Sequence, residues 1–273
     1  SKFYNLITIM PLITFPDGRN KNYDRGVTGI DIADDISQSL KKKAIAILVN
    51  DEEKDLSHLL LDDCRIELID ASSKEGSYII RHSCAHLLAQ AVTELFPDAK
   101  PTIGPPIDEG FYYDFYMDPI DENDLRKIEK LMKKIIKQNI PIQREEHNND
   151  TLREMFSDNP FKIEIMDERI GEEVGSSAYR QGKFVDLCRG PHVESTGKLK
   201  WFKLTNTSQA FWRADSSQEP LVRIYGMCYA SNEELQQREA LLREAAKRNH
   251  RKFGKELQLF HIDEMVGQGL ILW

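Results

Sequence analysis

Between residues 10 and 71 the chain sets four strand-like runs around one helix start, and this order restricts the fold more than any other feature. Leu12-Ile13-Thr14-Phe15 leads into Pro16-Asp17-Gly18, a turn triplet suited to a hairpin, and a return strand is expected near Lys21 to Tyr23. Thr28-Gly29-Ile30-Asp31 reads as a helix start, with Ile32, Ile36 and Leu40 at four-residue spacing behind it. The β-branched run Ile45 to Val49, a turn at Asn50-Asp51 and a last strand at Arg65 to Ile69 complete the order strand, strand, helix, strand, strand. A β-grasp module is the expected result, bounded by the polar stretch Ala71 to Ser77.

With 273 residues the chain has room for about two domains. The second opens with a helix expected from about Ile79 to Phe96, stopped by Pro97, whose Ile80, Cys84, Leu87, Leu88, Ala91 and Leu95 form one apolar side. Another helix, Glu122 to Asn139, carries Leu125, Ile128, Leu131, Met132, Ile135 and Ile136 as its stripe. Strands are expected at Gly110 to Tyr116, Phe161 to Met166, Lys183 to Cys188, Trp201 to Thr205 and Leu221 to Tyr225. Helices alternating with an antiparallel sheet predict an α+β fold up to about residue 230. Ser231-Asn232-Glu233-Glu234 then opens a charged helix reaching about residue 250, with Leu235, Leu242 and Ala246 as its sparse apolar positions. It reads as an exposed connector with a basic end at Arg243, Lys247, Arg248, Arg251, Lys252 and Lys255.

The composition narrows the function classes. Forty per cent hydrophobic content supports a packed core, and the longest apolar run, Ala44 to Val49, is far shorter than a membrane-spanning helix requires. No signal segment is evident ahead of the first strand. Cys64, Cys84, Cys188 and Cys228 lack CxxC pairing, which points to reduced thiols and a cytoplasmic location. A net charge of −8 excludes a globally basic nucleic-acid coat, so any RNA contact must be local. The apolar end Gly269 to Trp273 is what a truncated chain is expected to show.

Two motifs carry chemistry. His82-Ser-Cys-Ala-His86 sets two imidazoles one turn apart, pointing away from the apolar stripe towards solvent or a cleft. In Asp186-Leu-Cys188-Arg-Gly-Pro-His192, alternation puts Phe184, Asp186 and Cys188 on one face, and Gly190-Pro191 breaks the strand so that His192 can fold back beside Cys188. His82, His86, Cys188 and His192 could hold zinc tetrahedrally. They could instead form a hydrolytic site in which neutral imidazoles orient or deprotonate water and Asp186 fixes a tautomer or holds a substrate amine. Attack by a Cys188 thiolate is a third chemical option. Taken alone, Lys162 reads as a solvated strand lysine, Phe111 to Tyr116 as a core strand, and Tyr179 and Arg180 as surface loop residues.

Together IRHSCAHLLAQAV, TIGPPIDEGFYYDF, FVDLCRGPHV and AFWRADSSQEPLVRIYG closely resemble threonyl-tRNA synthetases of the bacterial and eukaryotic type. The resemblance implies an N-terminal extension at 1–9, a TGS β-grasp domain at 10–71, an α+β editing domain at 72–230 and a connecting helix at 231–250 that includes Arg243-Glu-Ala-Ala-Lys-Arg248. Residues 251–273, with His-Arg-Lys-Phe-Gly-Lys-Glu-Leu at 250–257, would be the truncated start of the class II catalytic domain. The family's ATP site and threonine-sensing zinc lie in that domain and are not expected here.

What the family implies for this region is post-transfer editing, the hydrolysis of mischarged seryl-tRNA(Thr) at its 3′ end. Its editing residues fall on His82, His86, Lys162, Asp186, Cys188 and His192, with Tyr113 and Tyr179 lining the pocket. Editing of the threonyl type implies no metal, whereas related alanyl editing domains hold zinc in the same pattern. Other readings are a non-catalytic tRNA-binding appendage and a zinc-dependent alanyl-type deacylase. A monomer is expected for this region, although the full-length family is dimeric.

Overall fold

The structure is a computed structural model that describes residues 10–168 and 176–247. The chain divides into two compact units, Ser1–Ala230 and Ser231–Trp273. Expectations for residues 1–9 and 251–273, and for the basic residues from Arg248 onward, fall outside the described residues.

In the first unit β1 (Leu12–Thr14) and β2 (Asn20–Asn22) form the expected hairpin, and β3 (Val27–Thr28) leads into α1 (Gly29–Ile36). Thr28 Oγ1 accepts the Asp31 N–H while the Asp31 carboxylate accepts the Thr28 N–H, a reciprocal cap. The single helix expected through Leu40 is broken. Ser37 is extended, and its hydroxyl accepts the Leu40 N–H to cap a separate α2 (Gln38–Lys43), offering the backbone an alternative to a continuous helix. There follow β4 (Ala44–Val49), β5 (Glu52–Asp55), β6 (Leu59–Leu60) and β7 (Cys64–Asp70). The main sheet runs β2-β1-β7-β4-β5 with β1 and β7 parallel, a β-grasp arrangement. Polar β5 gives no strand pattern. It forms because Asn50 and Asp51, at φ 49° and 69°, fold it back on β4.

The long helix α3 (Lys74–Leu95) starts where Ser73 accepts the Gly76 N–H and ends before Pro97. After β8 (Lys100–Pro101), β9 (Pro106–Ile107) and β10 (Gly110–Tyr116) come α4 (Glu122–Gln138), β11 (Ile142–His147), α5 (Asn149–Met155) and α6 (Pro160–Glu168). The unit is completed by β12 (Ser176–Gln181), β13 (Phe184–Leu187), β14 (Trp201–Phe211) and β15 (Pro220–Tyr229). One antiparallel sheet runs β14-β15-β10-β8 with β9 on β10, and a second runs β11-β12-β13. The fold is α+β, as expected. Ile13, Ile32, Ala44, Ile47, Leu56 and Ile66 form a core of their own within the β-grasp elements, while Ile45, Ala46 and Ile69 of the same sheet pack into the core built by Ile79, Leu87, Phe111 and Ile128.

Two local expectations are corrected. Phe161 to Met166 is helical: Pro160 opens α6, the Asn159 side chain accepts the Lys162 N–H, and Phe161, Lys162, Ile165 and Met166 are buried on one helical face. The short alternation there fits a helix segment as well as a strand. Tyr179 and Arg180 lie in β12, not in a surface loop, and Tyr179 is 2% exposed.

In the second unit, α7 (Asn232–Lys247) is capped by Ser231 Oγ, which accepts the Glu234 N–H, and Leu241 and Leu242 are exposed.

Candidate active site

Helix α3 supplies the first two imidazoles. Its apolar stripe is buried from Ile80 to Ala91, with Leu95 exposed at the helix end, and Ser83, His86 and Gln90 are buried as well, so the opposite face also meets protein. His82 is half-buried. Strand β13 arrives on this face with its alternation intact: Val185 and Leu187 pack into a separate apolar cluster, while Phe184 and Cys188 join the core around α3. Gly190, at φ 74°, then turns the chain so that His192 returns beside Cys188.

Four groups converge. Cys188 Sγ is 3.3 Å from His82 Nε2 and 3.2 Å from His192 Nε2, and the His192 ring lies 4.2 Å from that of His86. One ligating atom from each of His82, His86, Cys188 and His192 lies within 4.8 Å of the others. This donor set matches the nitrogen and sulfur ligands of tetrahedral zinc.

Ser83, which the sequence reading passed over, fixes a tautomer. Its hydroxyl donates to the Ile79 carbonyl at 2.8 Å, so its oxygen accepts from His192 Nδ1 at 3.0 Å and from the Val193 N–H at 3.1 Å. His192 Nδ1 therefore carries the proton, and Nε2 presents a lone pair to Cys188. The available signal was a small hydroxyl placed mid-helix between the two histidines.

Lys162 enters from α6 and is 3% exposed, the opposite of a solvated lysine. Its Nζ lies 2.5 Å from Asp186 Oδ1 and donates to the Tyr113 hydroxyl at 3.2 Å. The Tyr113 hydroxyl donates in turn to Asp186 Oδ2 at 2.5 Å, and the Leu187 N–H donates to Oδ1 at 2.8 Å. His86 Nε2 is 3.7 Å from Oδ2. Both carboxylate oxygens are thus engaged inside the protein. Gln90, Lys162, Arg180 and Phe184 also line a cleft of about 990 Å³ beside this cluster, and Phe184 meets the His86 ring edge-on at 6.5 Å.

Burial sets the protonation states. It lowers His82 to about 3 and His86 to about 4, and pushes His192 well below the ordinary value, so all three rings are neutral near pH 7. It also pushes the Cys188 thiol up to about 12, against a thiolate nucleophile. Burial alone would raise Asp186, but Lys162 and His86, with the hydrogen bonds from Lys162 and Tyr113, hold it below the usual carboxylate value.

Two stretches of the chain match known families. Residues 12–70 match the TGS domain, and residues 177–225 match the threonyl and alanyl tRNA synthetase second additional domain. The threonine--tRNA ligase of Marinobacter nauticus is 46% identical over 267 residues, 97% of this chain and 41% of that protein. Those of Streptococcus equi subsp. zooepidemicus and Bacillus velezensis are 45% and 47% identical, again over 41% of their lengths. Over nearly its whole length the chain is similar to the N-terminal part of threonine--tRNA ligases. It spans about two-fifths of the length of these threonine--tRNA ligases. Within it the second additional domain match includes Tyr179, Asp186, Cys188 and His192, while His82, His86, Tyr113 and Lys162 come from outside that match. Among the described residues no helix is long and apolar enough to cross a membrane.

Proposed function

We propose that this region proofreads for a threonine--tRNA ligase by hydrolysing the ester that joins serine to the 3′ end of tRNA(Thr). The observation that carries the reading is the convergence of three neutral imidazoles, a thiol and a Lys162–Asp186 pair beside a cleft, in a chain similar to threonine--tRNA ligases.

The need for such a site is physical. Serine lacks one methyl of threonine, and a methyl is worth only about 1–3 kcal/mol of discrimination, too little for a synthetic site to exclude the smaller substrate. A second pocket with no room for the methyl can reject threonine instead.

In this proposal His82, His86 and Lys162 hold and orient the attacking water. Imidazoles as weakly basic as His82 and His86 position water better than they deprotonate it, since a general base works best with a pKa near the working pH. Asp186 keeps Lys162 and Tyr113 in place, and a seryl ammonium would have to share its carboxylate with Lys162. Cys188 and His192 shape the pocket, and with His192 Nε2 unprotonated the Cys188 S–H is the one of the two that can donate to the developing oxyanion. Tyr113 and Tyr179 form its walls.

The proposal needs no resident metal, as the resemblance to the threonyl type implies. The donor set favours a second reading: zinc held by His82, His86, Cys188 and His192 would supply Lewis-acid activation of water, as in an alanyl-type deacylase. Chelator sensitivity separates the two.

Serine release from seryl-tRNA(Thr), with threonyl-tRNA(Thr) as control, tests the main reading. Rapid release of serine alone is expected, with a large loss in a His82→Ala/His86→Ala variant. Unchanged release by that variant would remove these residues from the reaction. Binding of tRNA without hydrolysis would leave only a binding appendage.

A further inference from the structure

Asp55 ends β5 in the β-grasp sheet, 137 residues before His192, yet its carboxylate reaches the candidate site. Oδ1 accepts the His192 main-chain N–H at 2.8 Å, and Oδ2 accepts the Tyr179 hydroxyl at 2.8 Å. The Tyr179 ring meets the His192 ring at 4.4 Å. On the other side, Arg144 Nη1 donates to the Arg189 carbonyl at 2.8 Å and lies 3.5 Å from the Tyr179 hydroxyl. The turn 189–192 is therefore clamped between Asp55 and Arg144, with the imidazole that faces Cys188 at its end.

We propose that Asp55 is a positioning residue of the deacylation site: one carboxylate from the β-grasp sheet fixes both the backbone of His192 and the hydroxyl of Tyr179. This sets the direction of His192 Nε2 towards Cys188. The inference rests on the proofreading reading above. A group serving only to pack the sheet against its neighbour would not need two acceptor oxygens aimed at two different elements of the site. Burying a carboxylate is costly unless its hydrogen bonds are made, and here both oxygens make them to site residues.

The test uses the full chain, seryl-tRNA(Thr) and steady-state serine release. Asp55→Ala is expected to lower kcat by about 10- to 100-fold with KM little changed, the scale of loss from a displacement of about 1 Å. Asp55→Asn can still accept the His192 N–H and is expected to recover most of the rate. Asp55→Ser is polar but too short for both donors, and stands in for alanine should Asp55→Ala not fold. Circular dichroism and unfolding midpoints confirm that the variants compared are folded. An active wild-type protein with equal kcat in Asp55→Ala or Asp55→Ser overturns the Asp55 inference alone. A rise in KM at constant kcat assigns Asp55 to tRNA docking and overturns it too. A wild-type protein that releases no serine overturns the proofreading reading and this inference together.

Discussion

Lys162 Nζ and Asp186 Oδ1 lie 2.5 Å apart with both side chains almost fully buried, one on a helix and the other on a strand of a neighbouring sheet. Removing one member of a buried ion pair strands the other in a dry interior, at a cost of about 3–5 kcal/mol, whereas removing both can be nearly neutral. Lys162→Met should therefore lower stability by about 3–5 kcal/mol. Lys162→Met with Asp186→Leu should recover most of that loss without recovering serine release. Urea unfolding midpoints and the deacylation rate check both parts.

Acid should destabilise the protein through its imidazoles. His82, His86 and His192 are neutral in the folded state down to well below 6.5, but protonate near 6.5 once unfolded. The unfolded state then binds more protons, so stability is full above 6.5 and falls as the pH drops towards 4. Each such group contributes a slope of about 1.4 kcal/mol per pH unit at most. The measurement is the unfolding free energy between pH 7.5 and 5 (roughly the range where histidine titrates). His86→Asn should show a shallower fall than the wild type, and equal slopes would contradict buried neutral rings.

Gly190 has φ 74°, and a Cβ there would sit 1.9 Å from the Tyr179 hydroxyl. Gly190→Ala should both strain the backbone, by about 1–2 kcal/mol, and push Tyr179 off Asp55. Its expected phenotype is a lowered melting temperature with loss of serine release. A fully active, equally stable Gly190→Ala would show that the turn is not closed against Tyr179.

Metal dependence has its own readout. Elemental analysis of the purified protein should find zinc well below one per chain, and serine release should survive a chelator. Stoichiometric zinc that disappears in Cys188→Ala would instead establish the zinc-dependent reading.

Much of the fold was legible because it is written in local chemistry. The Asp17-Gly18 turn, the Thr28 and Ser231 caps, the stop at Pro97 and the stripes of α3 and α4 each follow from neighbours in sequence. The same holds for the pairing of His82 with His86 and the return of His192 to Cys188, which need one helical turn and one broken strand. Strand β5 was not legible, since its residues are polar and its partner alone makes it a strand. Tyr179 was hidden for a similar reason: β11 and β13 flank it and turn a Ser-rich segment into a central strand.

The sequence by itself determined which residue types could do the chemistry and which of them were close along the chain. Tertiary structure decided the rest: that Lys162 is a buried partner of Asp186, that Ser83 sets the tautomer of His192, and that Asp55 grips it from another sheet. Protonation in particular could not be read locally. An imidazole is held neutral, or a carboxylate charged, by how much water the whole fold removes and which distant charges it brings near, and no spacing rule contains that sum.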